Sequence, residues 1–351
     1  MAEDLIVERP EGLYCPQGGF YIDPWQPVDR AVITHAHGDH ARPGSNHYLA
    51  AAPSQGILRT RLGSDITLQT LDYGEAIDHQ GVRLSLHPAG HVLGSAQVRM
   101  EHGGRTWVAA GDYFVSGPGD LNTTCAPFEP VRCHCFITES TFGLPIYRWT
   151  PEPAVLEEIR RWWSANSEAG RTSVLFAYSL GKAQRVLAGL RDTAIGPIYT
   201  HGAIERLNRD YRDSGVALAD TIYASGLPRG HDYAGGLVLA PPSASGSLWL
   251  RRFGAISTGF ASGWMRIRGA RRRRSLDRGF ALSDHADWAS LLAAIEATAA
   301  ECVWVTHGFR EPVVRWLIEH GVRAEAVASR WEGEGESELQ DLSVAGEEIV
   351  A

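Results

Sequence analysis

Thr34-His35-Ala36-His37-Gly38-Asp39-His40 points to the class of this 351-residue chain more directly than any other segment. It continues a strand-like run at residues 31–33, so we expect a strand that then turns, with His35 and His37 on one side. Neutral imidazole suits Zn²⁺, and a carboxylate suits Zn²⁺ or Mn²⁺. Four such groups within six residues can serve two metal ions, and chance rarely gives this pattern. The segment therefore predicts a metal-binding loop.

Three further side chains of metal-ligand type each follow a strand-like run, where a sheet can fix them. They are His91 in Ala89-Gly90-His91, Asp112 in Ala110-Gly111-Asp112 and His307 in Val305-Thr306-His307. Small neighbouring residues allow the backbone to come close to a site. The five histidines and two aspartates then suit two metal ions that share Asp112 and keep room for solvent. Two ions about 3.5–4 Å apart can hold a hydroxide and clamp the oxygens of a phosphodiester.

The order of these residues resembles the metallo-β-lactamase fold. The seven residues are His35, His37, Asp39, His40, His91, Asp112 and His307. The resemblance implies that His35, His37 and His91 hold one metal. It implies that Asp39, His40 and His307 hold the other metal, with Asp112 bridging the two. Asp23 resembles the first-motif aspartate of the family, which supports a ligand histidine from behind. The implied cofactors are two divalent ions, Zn²⁺ foremost and Mn²⁺ as the alternative.

Later segments resemble the signatures of the β-CASP nucleases, a branch of the same fold. Ile137-Thr138-Glu139-Ser140 resembles the first signature, in which an acidic residue follows a strand. Ser283-Asp284-His285-Ala286-Asp287 resembles the second signature, and His307 stands at the third. Gly181-Lys182-Ala183-Gln184 resembles a pattern of the inserted β-CASP domain. The resemblance implies an α/β (α+β) fold, a metallo-β-lactamase αββα sandwich with an inserted small α/β domain.

The pattern of apolar residues predicts where that insert lies. Strand-like runs separated by glycine-containing turns dominate the chain up to Gly143, and helix and strand patterns alternate after it. We predict a first metallo-β-lactamase part at 1–143, the β-CASP insert at 144–280 and a second metallo-β-lactamase part at 281–330. Residues 331–351 carry seven acids and no lysine or arginine, which predicts an acidic, partly mobile tail.

Positive charge is concentrated near the end of the predicted insert. Residues 251–278 carry nine arginines and one acid, whereas the whole chain has a formal charge of −8. Such a run is either an ordinary solvated face or a surface for a phosphate backbone, which arginine binds in a bidentate manner. The predicted nucleic-acid contacts are Lys182, Arg266, Arg268, Arg271, Arg272, Arg273 and Arg274.

Composition bears on the class and location of the protein. With 44% hydrophobic and 21% charged residues, the chain can bury a core, which excludes disorder as its main state. It has no run of about 18 apolar residues, so a membrane-spanning protein is not expected. Acids precede any apolar run at the N-terminus and no basic segment does, so we expect no secretory signal and a cytoplasmic location. Five scattered cysteines argue against a disulfide framework.

Hydrolysis of a phosphodiester also requires a proton for the leaving oxygen. Glu139 and His285 are the candidates, because the β-CASP resemblance implies that both lie at the cleft. A carboxylate bonded to one imidazole nitrogen favours the cationic ring, which can donate a proton from the other nitrogen. We predict Asp39, Glu139 and His285 as catalytic residues. For Asp287 we expect a supporting role, either in orienting the site or as the N-cap of the following helix.

Within the β-CASP group, the sequences of residues 34–42 and 283–288 most resemble those of the bacterial DNA-ligase-associated exonucleases. This resemblance implies a DNA exonuclease that acts in DNA repair, with a 5′ to 3′ direction. It also implies a DNA ligase and a helicase as partners, and no membrane.

Three other functions stay open. An RNA-processing nuclease is favoured by His307, because RNA-acting relatives have histidine at the third signature, where eukaryotic DNA-acting relatives tend to have valine. A small-molecule metallo-hydrolase shares the histidine-rich segment but has no need of Glu139, His285 or the insert. A non-catalytic nucleic-acid-binding scaffold would not need a complete set of metal ligands.

Overall fold

The computed structural model describes residues 4–117, 123–267 and 276–331. These residues form two compact units. The first unit contains residues 4–116, 125–148 and 285–331, and the second is formed mainly by residues 149–267 and 276–284. The second unit therefore interrupts the chain of the first.

Two sheets form the frame of the first unit. Across the first sheet lie, in spatial order, β1 (Val7–Arg9), β2 (Gly12–Cys15), β3 (Phe20–Ile22), β4 (Arg30–Val32), β5 (His47–Ala51) and β6 (Leu68–Leu71). The strands of the second sheet are β7 (Ala76–His79), β8 (Val82–Pro88), β9 (Ala96–His102), β10 (Arg105–Ala109), β11 (Cys135–Ser140), β18 (Cys302–Gly308) and β19 (Arg323–Ala326). Their spatial order is β19-β18-β11-β10-β9-β8-β7.

Strand direction in the second sheet brings three chain segments to one edge. Strand β11 pairs in parallel with both β10 and β18. The carboxyl ends of parallel strands meet at the same edge of a sheet. Asp112 follows the end of β10, Glu139 lies near the end of β11 and His307 near the end of β18.

The core of the first unit has a layer on each face of the second sheet. Trp107 of β10 packs with Leu13 and Val32 of the first sheet, so the two sheets face each other. The next residue of β10, Val108, points the opposite way, as the period of a strand requires. It packs with Leu291 of helix α5 (Trp288–Thr298) in a second cluster, which also contains residues of helix α6 (Arg310–Glu319). Helix α1 (Gln55–Leu62) completes the described helices of this unit.

The second unit contains a six-stranded sheet in which every pair is parallel. Its strands, in spatial order, are β14 (Ile222–Tyr223), β13 (Ile198–Thr200), β15 (Leu237–Ala240), β12 (Thr172–Phe176), β16 (Ile256–Ala261) and β17 (Arg278–Phe280). Its helices are α2 (Glu152–Glu168), α3 (Lys182–Gly189) and α4 (Gly202–Asp213). Helix α2 buries Leu156, Ile159 and Trp163, whose spacing of three and four residues places them on one face.

The prediction of a mixed α/β protein is confirmed. Strands β14 to β17 were not predicted from the sequence. Strand β15 is a fully buried run of four apolar residues without the alternation that marks a half-exposed strand, and β14 and β17 are only two and three residues long. Within the described ranges, no helix combines the length and the apolar character that a membrane span requires.

Candidate metal centre and acid–base pair

The histidine-rich segment lies in a loop that follows β4. The backbone N–H of Thr34 donates to Asp23 Oδ1 at 2.7 Å rather than to a neighbouring strand. The backbone N–H of His40 donates to the carbonyl of His37 at 3.1 Å, which closes a turn. The predicted continuation of the strand through His37 is therefore wrong. Turn geometry and side-chain hydrogen bonds, rather than strand alternation, set the direction of these side chains.

One group of possible ligands joins this loop to the second sheet. His35, His37, His91 and Asp112 each offer an atom within 4.8 Å of the others. His91 Nε2 lies 3.1 Å from His37 Nδ1, and Asp112 Oδ2 lies 3.5 Å from His35 Nε2. Ligand atoms about 2 Å from a tetrahedral Zn²⁺ ion are roughly 3.4 Å apart. The spacing therefore fits one divalent ion.

A second group shares the same aspartate. His40, Asp112 and His307 also offer atoms within 4.8 Å of one another. Asp112 Oδ1 lies 3.0 Å from His307 Nε2, and Asp112 Oδ2 lies 3.6 Å from His40 Nε2. Asp39 is adjacent, with its Oδ2 3.6 Å from the same nitrogen of His40. The Asp112 carboxylate thus belongs to both groups, which is the arrangement that a bridging ligand requires.

A threonine directly before the histidine fixes the proton position of two candidate ligands. Thr34 Oγ1 donates its proton to Asp23 Oδ2, so it accepts a hydrogen bond from His35 Nδ1 at 3.0 Å. Thr306 Oγ1 donates to a backbone carbonyl of β11 and accepts from His307 Nδ1 at 3.0 Å. A proton on Nδ1 leaves the lone pair on Nε2, the form that binds a metal. Neither threonine was predicted from the sequence, although the repeated Thr-His pair was a signal for both.

Asp23 fixes a third histidine in the same way. Its Oδ2 accepts from His40 Nδ1 at 2.7 Å, so the other ring nitrogen faces Asp112. Asp23 has a backbone φ of 41°, a conformation that aspartate tolerates better than most residues. The backbone thus accepts a costly conformation that brings this carboxylate against both Thr34 and His40.

The charges of the cluster favour a cation. Burial alone would lower the pKa of His40, but the carboxylates of Asp112, Asp39 and Asp23 raise it to about 10. Burial alone would raise the pKa of Asp112, but His40 and His307 hold it well below its ordinary value. Burial and the nearby His40 together lower the pKa of His35, which keeps that imidazole neutral and able to bind a metal.

Several polar atoms of the cluster are buried without a hydrogen-bond partner among the described residues. They are His35 Nε2, His40 Nε2, His307 Nε2 and Asp112 Oδ1. The last two lie 3.0 Å apart, but with the His307 proton on Nδ1 both are acceptors, and neither has a proton to donate to the other. Each buried polar atom left in this state costs about 1–3 kcal/mol. Divalent cations would satisfy all four atoms at once. The donor set, its spacing and its proton positions therefore fit a pair of metal ions.

A second candidate pair, Glu139 and His285, lies beside the cluster. Glu139 and His285 are both almost fully buried, and His285 Nδ1 lies 2.9 and 3.0 Å from the two oxygens of Glu139. The backbone N–H groups of Tyr113 and Thr141 donate to the same carboxylate at 2.8 and 3.3 Å. Asp112, Glu139 and His285 have side-chain atoms within 4.8 Å of one another. A carboxylate held by two amides therefore orients an imidazole next to the candidate bridging ligand.

Two glycines allow the ligand-bearing segments to come this close. Gly90, directly before His91, has a φ of 75°, and a Cβ there would lie 2.3 Å from the carbonyl oxygen of Phe114. Gly308, directly after His307, has a φ of 84°, and a Cβ there would lie 2.2 Å from the carbonyl oxygen of Ser140. Any other residue at these positions would push the neighbouring backbone segments apart.

The other predicted site residues lie in different surroundings. Lys182 is fully buried and pairs with Asp284 within the second unit. These contacts indicate that Lys182 holds the segment that contains Asp284 and does not contact phosphate directly. Asp287 caps α5 by accepting from the backbone N–H of Ser290 at 2.9 Å. Arg266 is exposed at the end of a short 3₁₀ helix, Gly263–Arg266. Arg268 and Arg271–Arg274 lie outside the described residues.

Trp331 was expected only as the first residue of the acidic tail, but it lies at the candidate metal centre. Its indole is 8% exposed and stacks on the ring of His40, with centroids 5.1 Å apart. No periodic pattern surrounds Trp331 in the sequence, so nothing pointed to it. Residues 332–351, the rest of the predicted tail, lie outside the described residues.

Comparison of the whole fold finds a similar solved structure. The crystal structure of a protein of unknown function from Enterococcus faecalis matches with a TM-score of 0.58. The match covers 86% of this chain and 80% of that one, at 11% sequence identity. The two proteins therefore share a fold. No family model matches the sequence.

Comparison of the sequence finds curated relatives that are longer than this chain. A protein named Probable DNA ligase, from Opitutus terrae, is 32% identical over 325 residues, which is 92% of this chain and 31% of that protein. A protein named Endoribonuclease YSH1, from Saccharomyces cerevisiae, is 31% identical over 122 residues, or 34% of this chain and 15% of that one. The chain is therefore homologous, over nearly its whole length, to about a third of a probable DNA ligase, and over a third of its length to part of an endoribonuclease.

Proposed function

We propose that this chain is a metal-dependent nuclease of the β-CASP branch of the metallo-β-lactamase fold, and that it hydrolyses phosphodiester bonds in DNA. The observation that carries the proposal is the convergence of unpaired Nε2 atoms and Asp112 beside the Glu139–His285 pair. Metal ligands alone would fit many hydrolases. A buried carboxylate–imidazole pair next to them adds a group that can deliver a proton to a poor leaving group such as an alkoxide.

In this proposal His35, His37 and His91 hold one ion, and Asp39, His40 and His307 hold the other, with Asp112 between them. Zn²⁺ suits these imidazole and carboxylate donors best, and Mn²⁺ is the alternative. Such ions supply Lewis-acid charge for the oxygens of the transferred phosphoryl group. The chain itself holds the imidazoles of His35, His40 and His307 in the tautomer that binds a metal through Nε2, and it keeps the surroundings buried, so that charges interact strongly.

His285 is the proton donor in this proposal. Its Nδ1–H is directed to Glu139, which leaves Nε2 to carry the proton that the leaving oxygen receives. Glu139 stabilises the cationic ring and is itself held by two backbone amides. The proton therefore leaves from a ring whose orientation is fixed before the substrate binds, which reduces the reorganisation that the reaction requires.

The preference for DNA, an exonuclease mode and a role in repair is supported by the relative named Probable DNA ligase. That protein contains, within one chain, a segment similar to 92% of this protein. Two activities joined in one polypeptide usually meet the same substrate, and a ligase acts on DNA ends. We therefore propose DNA ends as the substrate and a DNA ligase as a partner. The 5′ to 3′ direction, the helicase partner and the cytoplasmic location in this proposal are carried over from the resemblance to the bacterial DNA-ligase-associated exonucleases and from the composition of the chain.

RNA processing is the second candidate. It is favoured by the relative named Endoribonuclease YSH1 and by histidine at position 307. Both candidates share the same centre, so the geometry of the metal ligands cannot separate them. The discrimination must come from how the enzyme treats the 2′-hydroxyl of its substrate.

One experiment tests the substrate and the metal together. Chelator-treated protein is reloaded with Zn²⁺ or Mn²⁺ and incubated with DNA and RNA oligonucleotides of one sequence, labelled at either end. We expect metal-dependent shortening of DNA from its 5′ end. Asp112→Ala should abolish it, and His102→Ala, at an exposed histidine of the β9–β10 hairpin, should not. Faster cleavage of RNA would favour the second candidate, and ester or lactam hydrolysis without cleavage of either would refute both.

A further inference from the structure

Trp331 belongs to a segment that is fastened to the second sheet. The backbone N–H of Val327 donates to the carbonyl of Val305 at 2.9 Å, which continues the contact between β19 and β18. Ser329 Oγ then donates to the carbonyl of Thr306 at 3.0 Å, one residue before His307. The backbone N–H of Ala328 donates to Glu8 Oε1 at 2.8 Å. Residues 327–331 are thus tied at several points before the indole is reached.

The indole itself contacts the second group of candidate ligands. Its ring stacks on His40 with centroids 5.1 Å apart and planes 13° apart, and it meets the ring of His307 edge-on at 5.8 Å. Its Nε1–H donates to the backbone carbonyl of Asp23 at 3.0 Å. The ring of Trp25 packs edge-on against the indole of Trp331, with ring centroids 5.8 Å apart. One buried side chain therefore touches both histidines of this group and the backbone of the residue that orients one of them.

The contacts of the indole restrict the tilt of the His40 ring, which its hydrogen bond to Asp23 alone does not restrict. The bond from His40 Nδ1 to Asp23 sets the tautomer, but an imidazole can still tilt about that bond, because its terminal torsion is broad. A flat ring stacked at 13° fixes the plane and hence the direction of Nε2. The hydrogen bond from the indole to the carbonyl of Asp23 also holds the residue at the other end of that bond.

We propose that Trp331 is a positioning residue for the metal ion held by His40, Asp112 and His307, so that binding of this ion depends on the indole. Binding of the ion held by His35, His37 and His91 does not depend on it. This inference rests on the proposed function, since it assumes that both groups bind divalent cations. Supporting residues of this kind typically contribute 10- to 100-fold in metal affinity.

Metal titration of the apoprotein tests the inference without measuring activity. Chelator-treated wild type, Trp331→Ala and Trp331→Phe are titrated with Zn²⁺ against a chromophoric chelator. For wild type we expect two tight equivalents. For Trp331→Ala we expect one Zn²⁺ equivalent to bind with unchanged affinity and the other to bind about 10- to 100-fold more weakly. Phenylalanine keeps a ring to stack on His40 but has no N–H for Asp23, so its second affinity should fall between the other two.

Trp316→Phe is the matched control. Trp316 of α6 also stacks on a histidine, with its ring centroid 3.7 Å from that of His320 and the ring planes 17° apart. Trp316 is half-buried, and His320 is exposed directly after the end of α6. This variant should bind both ions as wild type does. Thermal unfolding of each apoprotein checks that the variants fold, and Trp331→Phe carries the test if the alanine variant does not.

The outcomes separate the inference from the proposed function. A wild-type protein that binds no divalent ion would overturn the proposed function. A wild type with two ions, together with Trp331 variants whose two affinities are both unchanged, would overturn only the role of Trp331. Equal weakening of both ions would also overturn it, because a merely structural role would disturb the whole cluster.

Discussion

Glu139→Gln is the substitution that most directly tests the acid–base pair. Glutamine has the shape of glutamate but one acceptor oxygen and a donor NH₂ group. Its oxygen can still accept from Tyr113, whose N–H lies 2.8 Å from Oε1 of the native side chain. The NH₂ group then faces the N–H of Thr141 and Nδ1 of His285, both of which are donors in the native protein.

The structure sets the size of the expected effect. The variant loses a charge-assisted hydrogen bond to His285, which is worth about 1.5–3 kcal/mol. It also favours the tautomer of His285 with its proton on Nε2 and removes the charge that stabilises the cationic ring. If the loss is felt when His285 donates its proton, kcat falls about 10- to 150-fold, at 1.36 kcal/mol per factor of ten. Substrate affinity should change little, because neither side chain is a proposed DNA contact.

Single-turnover cleavage of an end-labelled oligonucleotide measures this effect, with His285→Ala and the double variant beside it. His285→Ala should also slow the chemical step more than it weakens binding. Because Glu139 acts through His285, adding Glu139→Gln to His285→Ala should cost almost nothing further. Independent losses in the double variant, or a Glu139→Gln rate within twofold of wild type, would refute the pair as the proton source.

Other predictions test the ligands, the backbone and a thiol. His37→Ala and Asp39→Ala should each abolish cleavage while circular dichroism stays native; a wild-type rate in either would contradict the ligand assignment. Gly308→Ala should destabilise the protein by more than about 3 kcal/mol in urea unfolding, because its Cβ would meet the Ser140 backbone at 2.2 Å. Gly74→Ala, with a φ of 80° and nothing within 4 Å, should cost only about 1–2 kcal/mol, and equal losses would disprove the clash. The Cys135 thiol and the Arg323 guanidinium lower the pKa of Cys302 to about 6, so thiolate absorbance at 240 nm should rise near that pH. The associated stabilisation is complete above the unfolded pKa of about 8.5 and is lost as pH falls through 6. Cys302→Ser should remove the absorbance step and Cys15→Ser should keep it; a step unchanged in Cys302→Ser would disprove the assignment.

The mixed α/β class could be predicted from the sequence, because helices and strands each have a characteristic local pattern of residues. The helix and strand patterns expected after Gly143 include α2, whose buried face contains Leu156, Ile159 and Trp163, spaced three and four residues apart. The strand-like runs expected before Gly143 include β8. Strands β14 to β17 carry no such pattern, since their neighbours in the parallel sheet, and not their own residues, determine that they are extended.

Within the candidate site, the residues that could bind metal were predicted from the sequence, but the residues that orient them were not. Histidines and aspartates near strand ends could be named, because few other residues bind Zn²⁺. The contacts of the Thr306 hydroxyl and the Trp331 indole depend on how segments far apart in the chain come together, and the spacing of residues in the sequence does not show this. The single lysine, Lys182, is a residue for which the sequence predicted a contact that its position in the fold does not favour. Its charge predicted a phosphate contact, but the structure buries it against Asp284.

Thr34 shows why the two sheets and the candidate metal centre cannot be understood separately. Its N–H and hydroxyl both donate to Asp23, and its hydroxyl accepts from His35, so it fixes one ligand and the residue behind another. Its carbonyl accepts from the N–H of Ala96 at 2.7 Å, at the start of a strand in the opposite sheet. Gly111, next to Asp112, lies so close that a Cβ there would be 2.5 Å from the Thr34 hydroxyl. Because one residue joins both sheets and sets a tautomer, a shift in sheet packing would move Asp112 and misdirect His35 together.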